Sequence, residues 1–263
     1  MFVQRVLSAL ILVPLVGLAV YAGGWWYFAL VAGAALTGCY EFYRMVARDT
    51  HRPAPWPGMA LAALLLLGAR YPAWGVVRAG LAAAIMLAFG WQLFQPQARR
   101  SLTDWALTLA GGLYVGWLAG HFISLRQLPR GLEWTALMFL ATWANDTGAY
   151  FAGLSLGRRP FAPHISPHKT WEGSIGGWLT GVVATALIGS FVGLSLTHGV
   201  LLGLAIALAA TLGDLAVSFI KRQVGVKDSS HLIPGHGGML DRMDSLLFTV
   251  VVVYYYVVWI AGG

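Results

Sequence analysis

Acids, cations and glycines gather in two stretches of this chain. The first runs from Asn145-Asp146-Thr147-Gly148-Ala149-Tyr150, through Arg158-Arg159, to Ser166-Pro167-His168-Lys169-Thr170-Trp171-Glu172-Gly173. The second begins at Asp214, with Ser218 at i+4 and Lys221 at i+7, a spacing that puts all three on one helix face. It continues through Lys221-Arg222-Gln223-Val224-Gly225-Val226-Lys227-Asp228 to Pro234-Gly235-His236-Gly237-Gly238 and Asp241-Arg242-Met243-Asp244. Lys221, Arg222 and Lys227 place three cations within seven residues, enough to neutralise a polyphosphate. Gly237 and Gly238 let backbone N–H groups come close to phosphate oxygens. Asp241 and Asp244, at i and i+3 at the start of a helix, offer hard oxygens to a cation such as Mg²⁺. Carboxylates among cations beside glycines are what a metal–nucleotide site needs. No Walker A pattern occurs, so a P-loop fold is not implied.

Each of these residues also has a plainer use. Asn145 and Asp146 interrupt an apolar run, and a carboxylate there costs a few kcal/mol unless it is paired, solvated or metal-bound. Asp214 lies within another apolar run and must face protein or water. A structural ion pair with Lys221 or Arg222 would satisfy it, and so would a proton or sodium site. Ser/Thr followed by Glu172 also suits a helix N-cap, although a cap has no need of Lys169. His236 is either a donor to phosphate or a loop-packing histidine.

These residues must be held by helices in a bilayer. Of the 263 residues, 58% are hydrophobic and only 10% charged, which excludes a soluble enzyme, a disordered chain and a coiled coil. The fold class is therefore all-α, a polytopic membrane protein. Apolar runs give nine spans: 5–22, 25–46, 57–69, 74–94, 105–125, 133–151, 173–195, 198–220 and 245–261. The third is short for a crossing. Cys39 is the single cysteine and excludes an intrachain disulfide. The net charge of +7 follows the positive-inside rule and points to no nucleic-acid partner. A cytoplasmic N-terminus puts 13 of the 17 basic residues inside, and nine of the ten acids join them, Glu133 alone excepted. Residues 1–130 read as scaffold helices, and 131–263 as a catalytic region with cytoplasmic loops 152–172 and 221–244.

The whole run Ser218–Asp244, 27 positions, resembles the signature of the phosphatidate cytidylyltransferases, or CDP-diacylglycerol synthases. Asn145-Asp146-x-x-Ala149-Tyr150 and Ser166-Pro167-x-Lys169-Thr170-x-Glu172-Gly173 are similar to that family's second characteristic region. The N-terminal half matches only in hydropathy. His168 stands where the family often has a second Lys, and Ser230-His231 where it often has Gly followed by a polar or basic residue.

The resemblance implies a multi-spanning inner-membrane enzyme, often dimeric. It joins CTP and phosphatidic acid into CDP-diacylglycerol and pyrophosphate, with Mg²⁺ and room for a second cation such as K⁺. It assigns Asp214 and Asp241 to the metal, with Asp146 and Asp244 as further members of that cluster. Lys221, Arg222 and Lys227 are expected on the triphosphate, with Gly237-Gly238 closing over it. Lys169 and Arg242 are expected on the lipid phosphate. Asn145, Glu172, Ser218, Asp228 and His236 complete the expected substrate contacts. Two other classes stay open at this point. One is an ion-coupled transporter using Asp146 and Asp214. The other is a CDP-alcohol phosphotransferase, whose Asp-Gly-x2-Ala-Arg pattern is not found here.

Overall fold

The computed structural model describes residues 2–48, 51–96, 101–233 and 237–262, with side chains from residue 10 onward. His236, Arg99 and Arg100 lie outside the described residues. Helices follow one another almost without interruption: α1 Phe2–Ala22, α2 Gly24–Val46, α3 Pro55–Arg70, α4 Val76–Leu93, α5 Leu102–Gln127, α6 Gly131–Leu156, α7 Trp171–Phe191, α8 Leu196–Gln223 and α9 Leu240–Ala261. They correspond one to one with the nine expected spans. Five of them (α4, α5, α7, α8 and α9) are long and apolar enough to cross a membrane. Leucines such as Leu179, Leu187, Leu201 and Leu212 stay exposed along them, as a lipid-facing surface requires.

Three local features depart from the sequence expectation. The helix through Asn145 and Asp146 runs past the expected end at residue 151, on to Leu156. The segment 152–172, expected as a loop, holds the end of α6 and a β-hairpin, β1 Pro160–Ala162 with β2 Ser166–Thr170. The loop 221–244 is shorter than expected, because α8 extends to Gln223 and α9 already starts at Leu240.

The chain forms two compact units, Met1–Ser124 with Gln223–Met243, and Leu125–Arg222 with Asp244–Gly263. The segment carrying Lys227, Asp228 and Asp241 therefore belongs with the N-terminal helices.

In the first unit, α2, α3 and α5 pack through small residues and a few polar ties. A side chain at Gly112 would meet the Gly58 carbonyl at 2.5 Å, and one at Gly116 the Ala62 Cα at 2.5 Å. Here α5 widens into a π-helical turn, Gly112–Trp117. The Tyr43 hydroxyl donates to the Thr108 carbonyl, and the Ala54 amide donates to Thr108 Oγ1 at 2.8 Å. Buried Asp104 accepts from the Arg52 amide at 2.9 Å.

In the second unit, α6 and α7 meet along a glycine seam. A Cβ at Gly177 would stand 2.8 Å from the Asn145 carbonyl, and one at Gly176 2.3 Å from Ala152 Cβ. Such backbone approach is how helices bind each other where lipid removes the hydrophobic driving force. Thr142 bonds Thr249 of α9 at 3.1 Å, and the Trp178 indole bonds Thr211 of α8 at 2.9 Å. A Cβ at Gly213 would lie 2.3 Å from the Asp244 carbonyl, so α8 touches α9 backbone to backbone just beside Asp214.

Candidate active site

In the second unit the hairpin delivers Lys169 to α8. Its ammonium pairs with Asp214 Oδ2, and the Ser218 hydroxyl donates to Asp214 Oδ1 at 3.3 Å. The ion pair found at Asp214 is thus with Lys169 of the hairpin, where the sequence offered Lys221 or Arg222. Arg222 instead donates through Nε to the Ile165 carbonyl at 3.1 Å, a second tie between hairpin and α8. Lys221 is buried on the same helix face as Asp214 and Ser218. Thr170 is the N-cap of α7, its Oγ1 accepting from the Gly173 amide at 3.1 Å. Glu172 Oε2 accepts from the Arg158 and Arg159 amides at 3.1 and 3.2 Å, which closes the base of the hairpin. Capping and ion pairing therefore coexist in this run, on different residues.

Asn145 is buried and donates to Asp146 Oδ1 at 3.1 Å, while Asp146 itself is exposed. Asn145 Oδ1 is buried with no hydrogen-bond partner among the described residues. A ligand donor is one way to satisfy such an acceptor. Asp244, one turn beyond Asp241 on α9, accepts from the Ser245 amide at 2.7 Å.

In the first unit the signature segment folds around Asp241. Its Oδ2 accepts from the Ser229 amide at 2.8 Å, the Ser229 hydroxyl at 2.9 Å and the Gly238 amide at 3.0 Å. Gly237 has φ +80°, and a Cβ there would stand 2.8 Å from Asp241 Oδ2. Both facts demand glycine. Ile233 and Gly237 close the turn as an isolated antiparallel bridge. Lys227, Asp228 and Arg242 are exposed.

Glu41 of α2 completes this arrangement, and reading the sequence as an inert N-terminal scaffold missed it. Buried to 3% exposure, it accepts four hydrogen bonds: from Ser229 Oγ at 2.8 Å, Ser230 Oγ at 2.5 Å, the Met239 amide at 3.0 Å and the Leu240 amide at 2.8 Å. The available signal was a lone acid in an otherwise apolar helix.

Among the described residues, no three His, Cys, Asp or Glu side chains gather around a common point. Mg²⁺ does not need such a group, since it is commonly held by one or two carboxylates together with substrate phosphates and water. The donors here suit it. Asp214 already attracts a cation, and the Lys169–Asp214 side chains are 25% and 35% exposed. A pair that open is worth only about 0–1 kcal/mol, so a metal could displace the ammonium cheaply. In the first unit, Asp241 is a carboxylate fixed in orientation by its donors at Oδ2.

Comparison with known proteins places this architecture. The model of the cytidylyltransferase family matches residues 3–260. A phosphatidate cytidylyltransferase of Synechocystis sp. is 36% identical over 97% of this chain and 96% of its own length. One from Mycobacterium bovis is 32% identical over 85% of this chain and 77% of its own. One from Brucella suis is 41% identical over 56% of this chain and 55% of its own. The similarity to the Synechocystis protein runs through the N-terminal helices as well as the signature segment. On these grounds the chain belongs to the cytidylyltransferase family.

Proposed function

We propose that this membrane protein transfers CMP from CTP to phosphatidate, giving CDP-diacylglycerol and pyrophosphate. The observation that carries this is the end-to-end similarity to a phosphatidate cytidylyltransferase, at 36% identity over 97% of the chain. The site residues supply chemistry suited to it. An anionic oxygen of phosphatidate forms the new bond to the α-phosphorus of CTP, the bond to the β-phosphate breaks, and pyrophosphate leaves. Because the nucleophile arrives already anionic, no Ser/His/Asp triad is needed. The barrier is charge repulsion and alignment, which positioned cations and dipoles lower.

In this reading Asp214 and Asp241 would hold Mg²⁺, with Asp146 and Asp244 as further candidates for the same role. The bound ion would neutralise triphosphate charge and polarise its oxygens. Lys221, Arg222 and Lys227 balance the remaining charge on CTP. Lys169 and Arg242 take the lipid phosphate; Lys169 would be free for this role if Asp214 held the metal instead. Ser218 orients Asp214, and Glu172 fixes the base of the hairpin that carries Lys169. Asn145, Asp228, His236, Gly237 and Gly238 make the closer substrate contacts. Nine crossings, an inner-membrane location with the N-terminus and both loops cytoplasmic, a homodimer and a second cation such as K⁺ complete the proposal.

The test uses the purified chain in detergent with CTP, phosphatidate and Mg²⁺. CDP-diacylglycerol and pyrophosphate should form in equal amounts, and chelation should stop both. Nucleotide turnover without a CDP-lipid product would refute the reading.

A further inference from the structure

We propose that Glu41 is a positioning residue for the reaction, acting through Ser229 on Asp241. This rests on the reading of Asp241 as part of the site. A buried carboxylate in α2 is costly unless it is well solvated by protein donors. The four donors to Glu41 come from one short segment, Ser229 and Ser230 on one side and Met239 and Leu240 on the other. The two amides are at the N-terminal end of α9, where unpaired N–H groups and the helix dipole favour negative charge. Glu41 therefore fastens both ends of the signature loop to α2, and α9 emerges from that clamp with Asp241 in its first turn.

Ser229 makes the connection specific. Its Oγ lies 2.8 Å from Glu41 Oε2 and 2.9 Å from Asp241 Oδ2. A serine hydroxyl has a single hydrogen to donate, so the two carboxylates compete for it. How firmly Ser229 holds Asp241 thus depends on what Glu41 takes. Gly238 is fitted to the same place, since a Cβ there would stand 2.0 Å from Ser229 Oγ and 2.5 Å from Glu41 Oε2. Donors already occupy both oxygens of Glu41, so it supports Asp241 and is not itself a cation ligand.

Glu41→Gln keeps the volume but cannot accept at Nε2, so it loses half of the bonds that Oε1 and Oε2 share. With the full-length chain in detergent, kcat should fall about 10–100-fold, with KM for CTP changed less than about threefold. The double variant with Ser229→Ala should be no slower than the worse single variant, because both act on one connection. A merely structural glutamate would give multiplicative losses, or a lower yield of folded protein at unchanged kcat. Either result would overturn the proposal. Hydrogen exchange on the unmodified protein is an independent check. The Ser229, Met239 and Leu240 amides should exchange far more slowly than those of exposed Lys227 and Asp228, and equal rates would contradict the clamp. Asp241→Asn serves as the reference. An active Glu41→Gln beside a dead Asp241→Asn removes only the positioning role, whereas an active Asp241→Asn removes the site reading itself.

Discussion

Lys169 and Asp214 form an ion pair that joins strand β2 to helix α8. Neither residue's own element requires it. Strand β2 pairs with β1, the hairpin is tied at Ile165 by Arg222 and at its base by Glu172, and the helix is held by its seams with α7 and α9. A partly exposed pair of this kind is suited to exchange its cation during a reaction cycle.

Asp214→Asn should abolish turnover, by at least about 100-fold, while leaving the protein inserted and folded. The pair is partly exposed, so its loss should cost about 0–1 kcal/mol of stability. Thermal melting alongside the activity assay checks both halves. Near-normal turnover would remove Asp214 from the chemistry.

Gly213→Ala addresses the packing beside that carboxylate. The new methyl group would meet the Asp244 carbonyl at 2.3 Å, backbone against backbone, with no flexible side chain to yield. The expected destabilisation is about 1–3 kcal/mol, with activity falling as α8 is pushed from α9. A melting curve and turnover equal to wild type would show that the two helices are not in such close contact.

Asp241→Asn preserves an oxygen for the Ser229 and Gly238 amides but removes the charge. Folding should survive, and activity should fall at least about 100-fold at every Mg²⁺ concentration tried. Full activity across a Mg²⁺ titration would show that the metal assignment is wrong.

Lys227 is exposed on the signature loop. Lys227→Ala should raise KM for CTP several-fold before kcat changes, since a solvent-facing cation acts on the bound nucleotide mainly through charge. An unchanged KM would take it out of the nucleotide site.

The helices were legible in the sequence because apolar runs of bilayer length leave little freedom of assignment. Their ends were less so. The span expected to end at 151 runs on as α6 to Leu156, carrying Asn145, which is buried against α7 at Gly181. The hairpin at 160–170 escaped notice because its strands are three and five residues long, with no alternation to reveal them. Asp214 stood out as a charge in an apolar run, and Lys169 and Asp241 as charges within polar, glycine- and proline-bearing loop motifs. Glu41 obeys the same rule but was not singled out, because its partners Ser229 and Leu240 lie 188 and 199 residues away, and spacing in one sequence says nothing about such pairings. The exchange of Lys221 for Lys169 as the partner of Asp214 has the same origin. Helical periodicity reveals neighbours on one helix but not those brought in by a distant strand.

The most direct measurement of the central claim follows the phosphorus atoms of CTP. With α-labelled CTP, phosphatidate and Mg²⁺, the label should enter the lipid; with γ-labelled CTP it should appear only in pyrophosphate. Label from the γ position in the lipid, or none in the lipid from either position, would contradict cytidylyl transfer by this chain.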